Sequence, residues 1–205
     1  TTVALYGDSH AAQWLPPLNI DAKQEHWRLR TYVKEHCPSV HIPASPDCTA
    51  FRLSAERDLR ADPPTLLIIS NFSHYDTTDA GWTEGLRVLL AALPRTSRIL
   101  VLADTPLFPR DVPTCLEHHP QDIGACEVPR SVGIREAHNT LEASLARAAN
   151  ASFASMNPWV CPYALCPVVI GRRLMWRDRH HLTVTFAKQL APALDRIVLA
   201  ALGPR

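Results

Sequence analysis

The run Leu66-Leu67-Ile68-Ile69, set off by Pro63-Pro64 before it and by Ser70-Asn71 after it, constrains this chain most. It is too short to cross a bilayer, and it lacks the apolar/polar alternation of a half-exposed strand. It reads as a strand buried on both faces, which calls for helices on both sides of its sheet. Further strand-like segments lie elsewhere in the chain. Thr2 to Tyr6 is apolar and β-prone before Gly7-Asp8 breaks it, Leu29 to Val33 is a second strand, Arg98 to Ala103 another, and Phe153 to Met156 a short one. Helical stretches fall between them at 10–26, where Pro16 and Pro17 interrupt or kink the pattern, and at 54–60 and 82–93. Ile134, Leu141, Leu145 and Ala148 mark the apolar face of a further helix. A last helix from about Thr185 turns Phe186, Leu190, Leu194 and Ile197 inward, is bent by Pro192 and is stopped by Gly203-Pro204. Strands alternating with helices predict one α/β domain over 1–205 with a mostly parallel, doubly wound sheet. Active residues of such sheets gather at the carboxyl ends of the strands.

With 46% hydrophobic and 20% charged residues the chain has the makeup of a soluble globular domain. A formal net charge of +1 leaves no footprint for nucleic acid or an anionic membrane surface. No stretch has the roughly 18 apolar residues of a membrane span, and the opening on Thr1, inside a strand, suggests a soluble domain cut from a longer protein. The cysteines form close pairs, Cys37 with Cys48, Cys115 with Cys126 and Cys161 with Cys166, at separations of 11, 11 and 5. Pairing is not fixed by sequence alone, but no C-x-x-C of a zinc knuckle is present and each pair lies in or beside Pro-rich loop sequence, 37–50 and 105–130 being the longest such loops. Local disulfides are favoured over metal-bound thiols, which places the domain in an oxidising, extracytoplasmic compartment.

Two segments carry chemistry. Gly7-Asp8-Ser9-His10 sits where a strand turns into a helix, so the Ser9 hydroxyl emerges at the sheet rim and its amide can donate to an oxyanion. Asp and Ser also simply cap helices. Near the other end, Asp178-Arg179-His180-His181-Leu182-Thr183 places a base and an orienting carboxylate on one loop before the last helix, although a charged capping turn would look similar.

Taken together, G-D-S at the start and D-x-x-H at the end resemble the SGNH (GDSL-like) hydrolase superfamily. Ser9-His10-Ala11-Ala12-Gln13-Trp14, Lys34-Glu35-His36-Cys37-Pro38 and the Leu182-Thr183 ending are similar, more narrowly, to SGNH domains fused to acyltransferase-3 membrane proteins. The resemblance implies a flavodoxin-like fold, Ser9 as nucleophile, His181 as base in preference to His180, and Asp178 as its partner. It assigns the oxyanion to the Ser9 amide, to Asn71 after the third strand, and to a backbone N–H at His36, where relatives carry glycine. His10, Phe72, His74, Tyr75 and Trp176 lie near the inferred rim as candidates to contact a sugar ring, His10 also supporting the nucleophile loop. The expected reaction is transfer of an acyl group, acetyl above all, to a carbohydrate outside the cytoplasmic membrane. An esterase or deacetylase and a non-catalytic carbohydrate-binding module are the alternatives. The implied partners are the carbohydrate acceptor and a membrane acyltransferase-3 domain in the same chain, tethering this domain and supplying acyl groups. No cofactor and no metal is called for.

Overall fold

In the computed structural model, which describes residues 1–203, these five segments form one parallel sheet. Its strands are β1 (Thr2–Gly7), β2 (Arg28–Val33), β3 (Leu66–Ser70), β4 (Arg98–Leu102) and β5 (Ser152–Ala154), ordered β2-β1-β3-β4-β5. This is the flavodoxin-like, doubly wound arrangement the alternation predicts. Both faces of the middle strands are covered, and successive residues divide between them. Val3, Leu5, Leu66, Ile68, Leu100 and Leu102 pack with Leu18 and Ala22 of helix Leu15–Gln24 and with Leu194 and Val198 of helix Ala191–Leu202. Ala4, Tyr6, Leu67, Ile69 and Val101 pack on the other side with Ala55, Leu59, Trp82, Leu86, Leu89 and Ala146, from helices Pro46–Ala61, Asp79–Ala92 and Glu136–Ala148.

The prolines start helices where the sequence suggested they would bend them. Pro16 and Pro192 stand in the first turns of Leu15–Gln24 and Ala191–Leu202, where a missing N–H leaves no bond unmade. The helix anticipated over 10–26 is therefore two, Ser9–Ala12 and Leu15–Gln24, and the last one divides at Leu190. The chain leaves the last helix at Leu202 through Gly203, at φ 67°, and Pro204 lies outside the described residues. The Pro-rich loops also hold more structure than expected. Helix Pro46–Ala61 begins within 37–50, with Ser45 Oγ accepting from the Cys48 amide at 3.2 Å, and helix Val112–His118 forms within 105–130. Three disulfides close these loops locally, Cys37–Cys48, Cys115–Cys126 and Cys161–Cys166.

Helix Glu136–Ala148 corrects the sequence reading. Its deeply buried face is His138, Glu142 and Ala146; Leu141 and Leu145 are half-buried, and Ala148 is exposed. Burial pushes the Glu142 carboxyl up to about 8, against the pull of the Trp82 indole N–H, which donates to Oε1 at 3.0 Å. The native state thus holds a proton that the unfolded chain releases near the ordinary glutamate value of about 4.3. Because the native state binds more protons, this group's contribution to stability declines as pH rises from about 4 to about 8. Glu142→Gln keeps an acceptor for Trp82 and removes that decline. The variant should match the parent near pH 4 and exceed it at pH 7 by on the order of 1–3 kcal/mol in denaturant melts.

Candidate active site

Register brings the candidate residues together. Gly7 of β1 pairs with Val33 of β2 and Ser70 of β3, and Ser70 pairs with Leu102 of β4, so these strands end at one level. Asp8-Ser9, Asn71 and Asp104 therefore emerge side by side at the carboxyl rim. Gly7, at φ 154°, is required there, because a Cβ would sit 1.8 Å from the Ser70 carbonyl oxygen. Asp8 is buried and fixes the loops on either side. It accepts from the amides of His10 at 2.8 Å and Phe72 at 3.0 Å and from the Tyr75 hydroxyl at 2.9 Å.

Ser9 begins the short helix Ser9–Ala12 and is half-buried. Asp178 and His181 are joined twice, the Asp178 carboxylate accepting from the His181 amide at 2.7 Å and meeting His181 Nδ1 at 2.7 Å. With Nδ1–H turned to the carboxylate, Nε2 carries the lone pair, and that atom is buried without a hydrogen-bond partner. No hydrogen bond joins it to Ser9 Oγ among the described residues, and such contacts tighten when substrate is bound.

Asn71 is buried at the end of β3, and its Oδ1 accepts from the Ser39 amide at 2.7 Å and the Ser39 hydroxyl at 3.1 Å. With Oδ1 so engaged, the side chain's capacity to donate lies in its amide N–H groups. His36 adopts φ 55°, the left-handed conformation glycine favours, with its side chain exposed. The chain thus keeps a glycine-type bend there while placing an imidazole on it.

Two residues named from the sequence stand elsewhere. Trp176 is fully buried, donates its indole N–H to the Pro167 carbonyl at 3.0 Å and packs on Phe108, so it is a core residue with no face for a sugar. His10 is fully buried as well, which excludes it from sugar contact and leaves it a supporting position. Phe72, His74 and Tyr75 are half-buried at the rim. Asp104, absent from the sequence reading, is the main addition. Its carboxylate meets His10 Nδ1 and accepts from the Ser73 amide at 2.8 Å and the Thr105 amide at 2.7 Å. His10 Nε2 in turn lies 2.7 Å from His180 Nδ1. Its signal was available, since Asp104 follows a buried strand at the carboxyl rim.

The family of SGNH domains fused to AT3 domains matches residues 1–196. The chain belongs to that family. Membership places this SGNH domain among acyl-transferring or ester-hydrolysing enzymes. No curated protein matches it in sequence. Among solved structures it is similar to the periplasmic domain of a lipopolysaccharide acetyltransferase from Salmonella ser. Paratyphi A, with TM-score 0.80 and 12% identity over 97% of this chain and 84% of that one. A lipolytic G-D-S-L family protein from Veillonella parvula gives TM-score 0.60 and 11% identity over 97% of each chain. A peptidoglycan O-acetylesterase gives 0.59 and 12% over 86% of this chain and 47% of that one. At these identities the likenesses speak for the fold.

The histidines of this SGNH domain are shifted in different directions. Burial alone would lower the His10 pKa, but the Asp104 carboxylate outweighs it and holds His10 above the ordinary histidine value. Burial also raises Asp104, and the His10 charge and the donors from His10 and Ser73 reverse that, keeping it below the usual carboxylate range. His180 is pushed down to about 4 by burial and by its neighbours His10 and His181. Burial lowers His181 too, with Asp178 opposing. A base acts only when neutral, so a His181 base should give ester turnover that rises with pH along a limb below the ordinary value of about 6.5 and is level at neutrality. The pH dependence of kcat/KM on an activated acetyl ester checks this; a limb above that value would assign the proton to another group.

Proposed function

We propose that this domain transfers an acyl group, acetyl above all, to a carbohydrate hydroxyl outside the cytoplasmic membrane through an acyl-enzyme on Ser9. The observation that carries the proposal is the meeting, at one rim, of a half-exposed serine, an Asp178-oriented His181 with a free buried Nε2, and an Asn71 whose Oδ1 is held by Ser39. Ser9 Oγ attacks the acyl carbonyl while His181 Nε2 takes its proton, and the donor's leaving group departs with that proton. The Ser9 amide, Asn71 Nδ2 and the backbone N–H at His36 hold the oxyanion. A sugar hydroxyl then gives its proton to His181 and attacks the acyl-enzyme, and Ser9 leaves reprotonated. Phe72, His74 and Tyr75 are the side chains in reach of the acceptor.

The setting follows from the same family. No helix among the described residues is long and apolar enough to cross a membrane, whereas the family is one of domains fused to AT3 domains. We take 1–205 as one soluble domain of a longer membrane protein, tethered outside the membrane and receiving acyl groups from the AT3 portion. The three disulfides and the periplasmic location of the Salmonella acetyltransferase domain support that compartment. Hydrolysis uses the same acyl-enzyme with water as acceptor, and the likeness to a peptidoglycan O-acetylesterase keeps it as the second reading.

Ser9→Ala and His181→Ala should each abolish ester turnover and labelling by a serine-directed phosphonate while the fold persists. Asn71→Ala should lower turnover by roughly 100-fold or more with KM little changed. Ser39→Ala, which only loosens Asn71, should cost less. Retention of most activity in Ser9→Ala refutes the mechanism. Transfer is separated from hydrolysis by mass spectrometry of oligosaccharides incubated with the domain and an activated acetyl donor. Acetylated sugar supports transfer, whereas efficient deacetylation of acetylated glycans with no acetyl ever added makes the domain an esterase.

A further inference from the structure

His10, His180 and His181 come from opposite ends of the chain, yet their ring nitrogens lie within 4.8 Å of one another. The rings are in mutual contact, with centroids 4.9 Å apart for His10 and His180, 4.8 Å for His10 and His181, and 4.2 Å for His180 and His181. Two of the three are already arranged as metal-ligating histidines are, with the far ring nitrogen on a carboxylate: His10 Nδ1 on Asp104 and His181 Nδ1 on Asp178. Both therefore aim Nε2 at the common centre. At His181 that atom is buried and unpartnered, in a residue 9% exposed. Tetrahedral ligands at the usual Zn–N length of about 2.0–2.1 Å are themselves a little over 3 Å apart, so the 2.7 Å between His10 Nε2 and His180 Nδ1 must open slightly and the widest separation, up to 4.8 Å, must close by roughly 1.5 Å. His180 is half-buried and gives a route in from solvent.

We propose that His10, His180 and His181 bind one divalent ion of the zinc class, and that the bound ion shuts off the Ser9 nucleophile. Three neutral imidazoles suit Zn²⁺, Co²⁺ or Ni²⁺ and not the oxygen-seeking Mg²⁺ or Ca²⁺. Only one hydrogen can lie between His10 Nε2 and His180 Nδ1. The ion replaces it: a His10 imidazolium gives that proton to solvent, whereas in a neutral pair it moves from His180 Nδ1 to Nε2, and no redox change is involved. Once His181 Nε2 is coordinated, the lone pair that would take the Ser9 proton is gone. The metal site stands on the geometry of the histidines alone; its inhibitory consequence rests on the serine mechanism proposed above.

The test uses metal-free protein and two separate readouts. Co²⁺ titration should give one ion per chain with the visible bands of a tetrahedral nitrogen site, displaced by Zn²⁺. The same spectrum should appear in Ser9→Ala. It should weaken at least tenfold in affinity in His180→Ala and in His180→Asn, the latter keeping a polar group toward His10, with circular dichroism verifying their folds. The His118→Ala variant, altered at an exposed histidine outside the cluster, should bind normally. In the second readout, saturating Zn²⁺ should slow phosphonate labelling of Ser9 at least tenfold, and a chelator should restore it. Absence of a single-site spectrum, or unchanged affinity in both His180 variants, overturns the site. Normal Co²⁺ binding with labelling unaffected by Zn²⁺ overturns the inhibition. If Ser9 fails to label even without metal, the serine mechanism falls, and the spectrum alone still decides the metal site.

Discussion

The architecture of the rim depends on how closely β1 and β3 approach at their carboxyl ends. Gly7 lies against the Ser70 carbonyl with no room for a Cβ, so the two strands stop together and their next residues face each other. Only then does the Asp8 carboxylate reach the Phe72 amide and the Tyr75 hydroxyl while also capping the helix that Ser9 begins. One buried carboxylate thereby ties the serine turn to the loop after β3. A larger residue at position 7 would push β1 off β3 and break both ties at once.

Electrostatics divides the rim into a fixed part and a chemically free part. Asp104 and His10 are both buried, and each shifts the other toward its charged form. Removing one member of such a pair strands the other charge in a low-dielectric interior, which costs about 3–5 kcal/mol. Asp178 and His181 share the same chemistry, but the outcome differs because burial there outweighs the Asp178 carboxylate and holds the His181 pKa below the ordinary value. Two Asp–His units of like composition are thus shifted in opposite directions within contact distance.

Much of this was legible in the sequence, and the failures share a cause. Strands built on an unbroken apolar run declare themselves, as 66–69 does, and so do motifs defined by short spacing, as Asp178 and His181 are. Polar residues in buried positions do not. The apolar pattern of helix Glu136–Ala148 pointed to Leu141 and Leu145, because nothing in a sequence marks His138 and Glu142 as core. Trp176 lies close in sequence to Asp178, yet its indole is buried against Phe108 and the Pro167 carbonyl. Asp104 and Ser39 escaped notice because their partners, His10 and Asn71, lie far off in the chain and meet them only when the sheet is assembled. Proline was over-read as a breaker where its position in the first turn makes it a starter.

On the acyl-transfer reading, the triad cannot choose between a sugar and water, because both acceptors give their proton to the same His181. The choice lies with whatever holds the acceptor still. An acceptor fixed beside the acyl-enzyme gains a large effective concentration over bulk water, but only if the surface that fixes it is itself immobile. The loop after β3 meets that condition. Its Tyr75 hydroxyl is bonded to Asp8, Phe72 lies against the His10 and His180 rings, and its Ser73 carbonyl accepts from Arg135. The same bonds that position Ser9 therefore hold rigid the half-buried aromatic rings beside it. Nucleophile and acceptor surface are one mechanical unit, so a change that loosens this loop favours water over sugar before it abolishes chemistry.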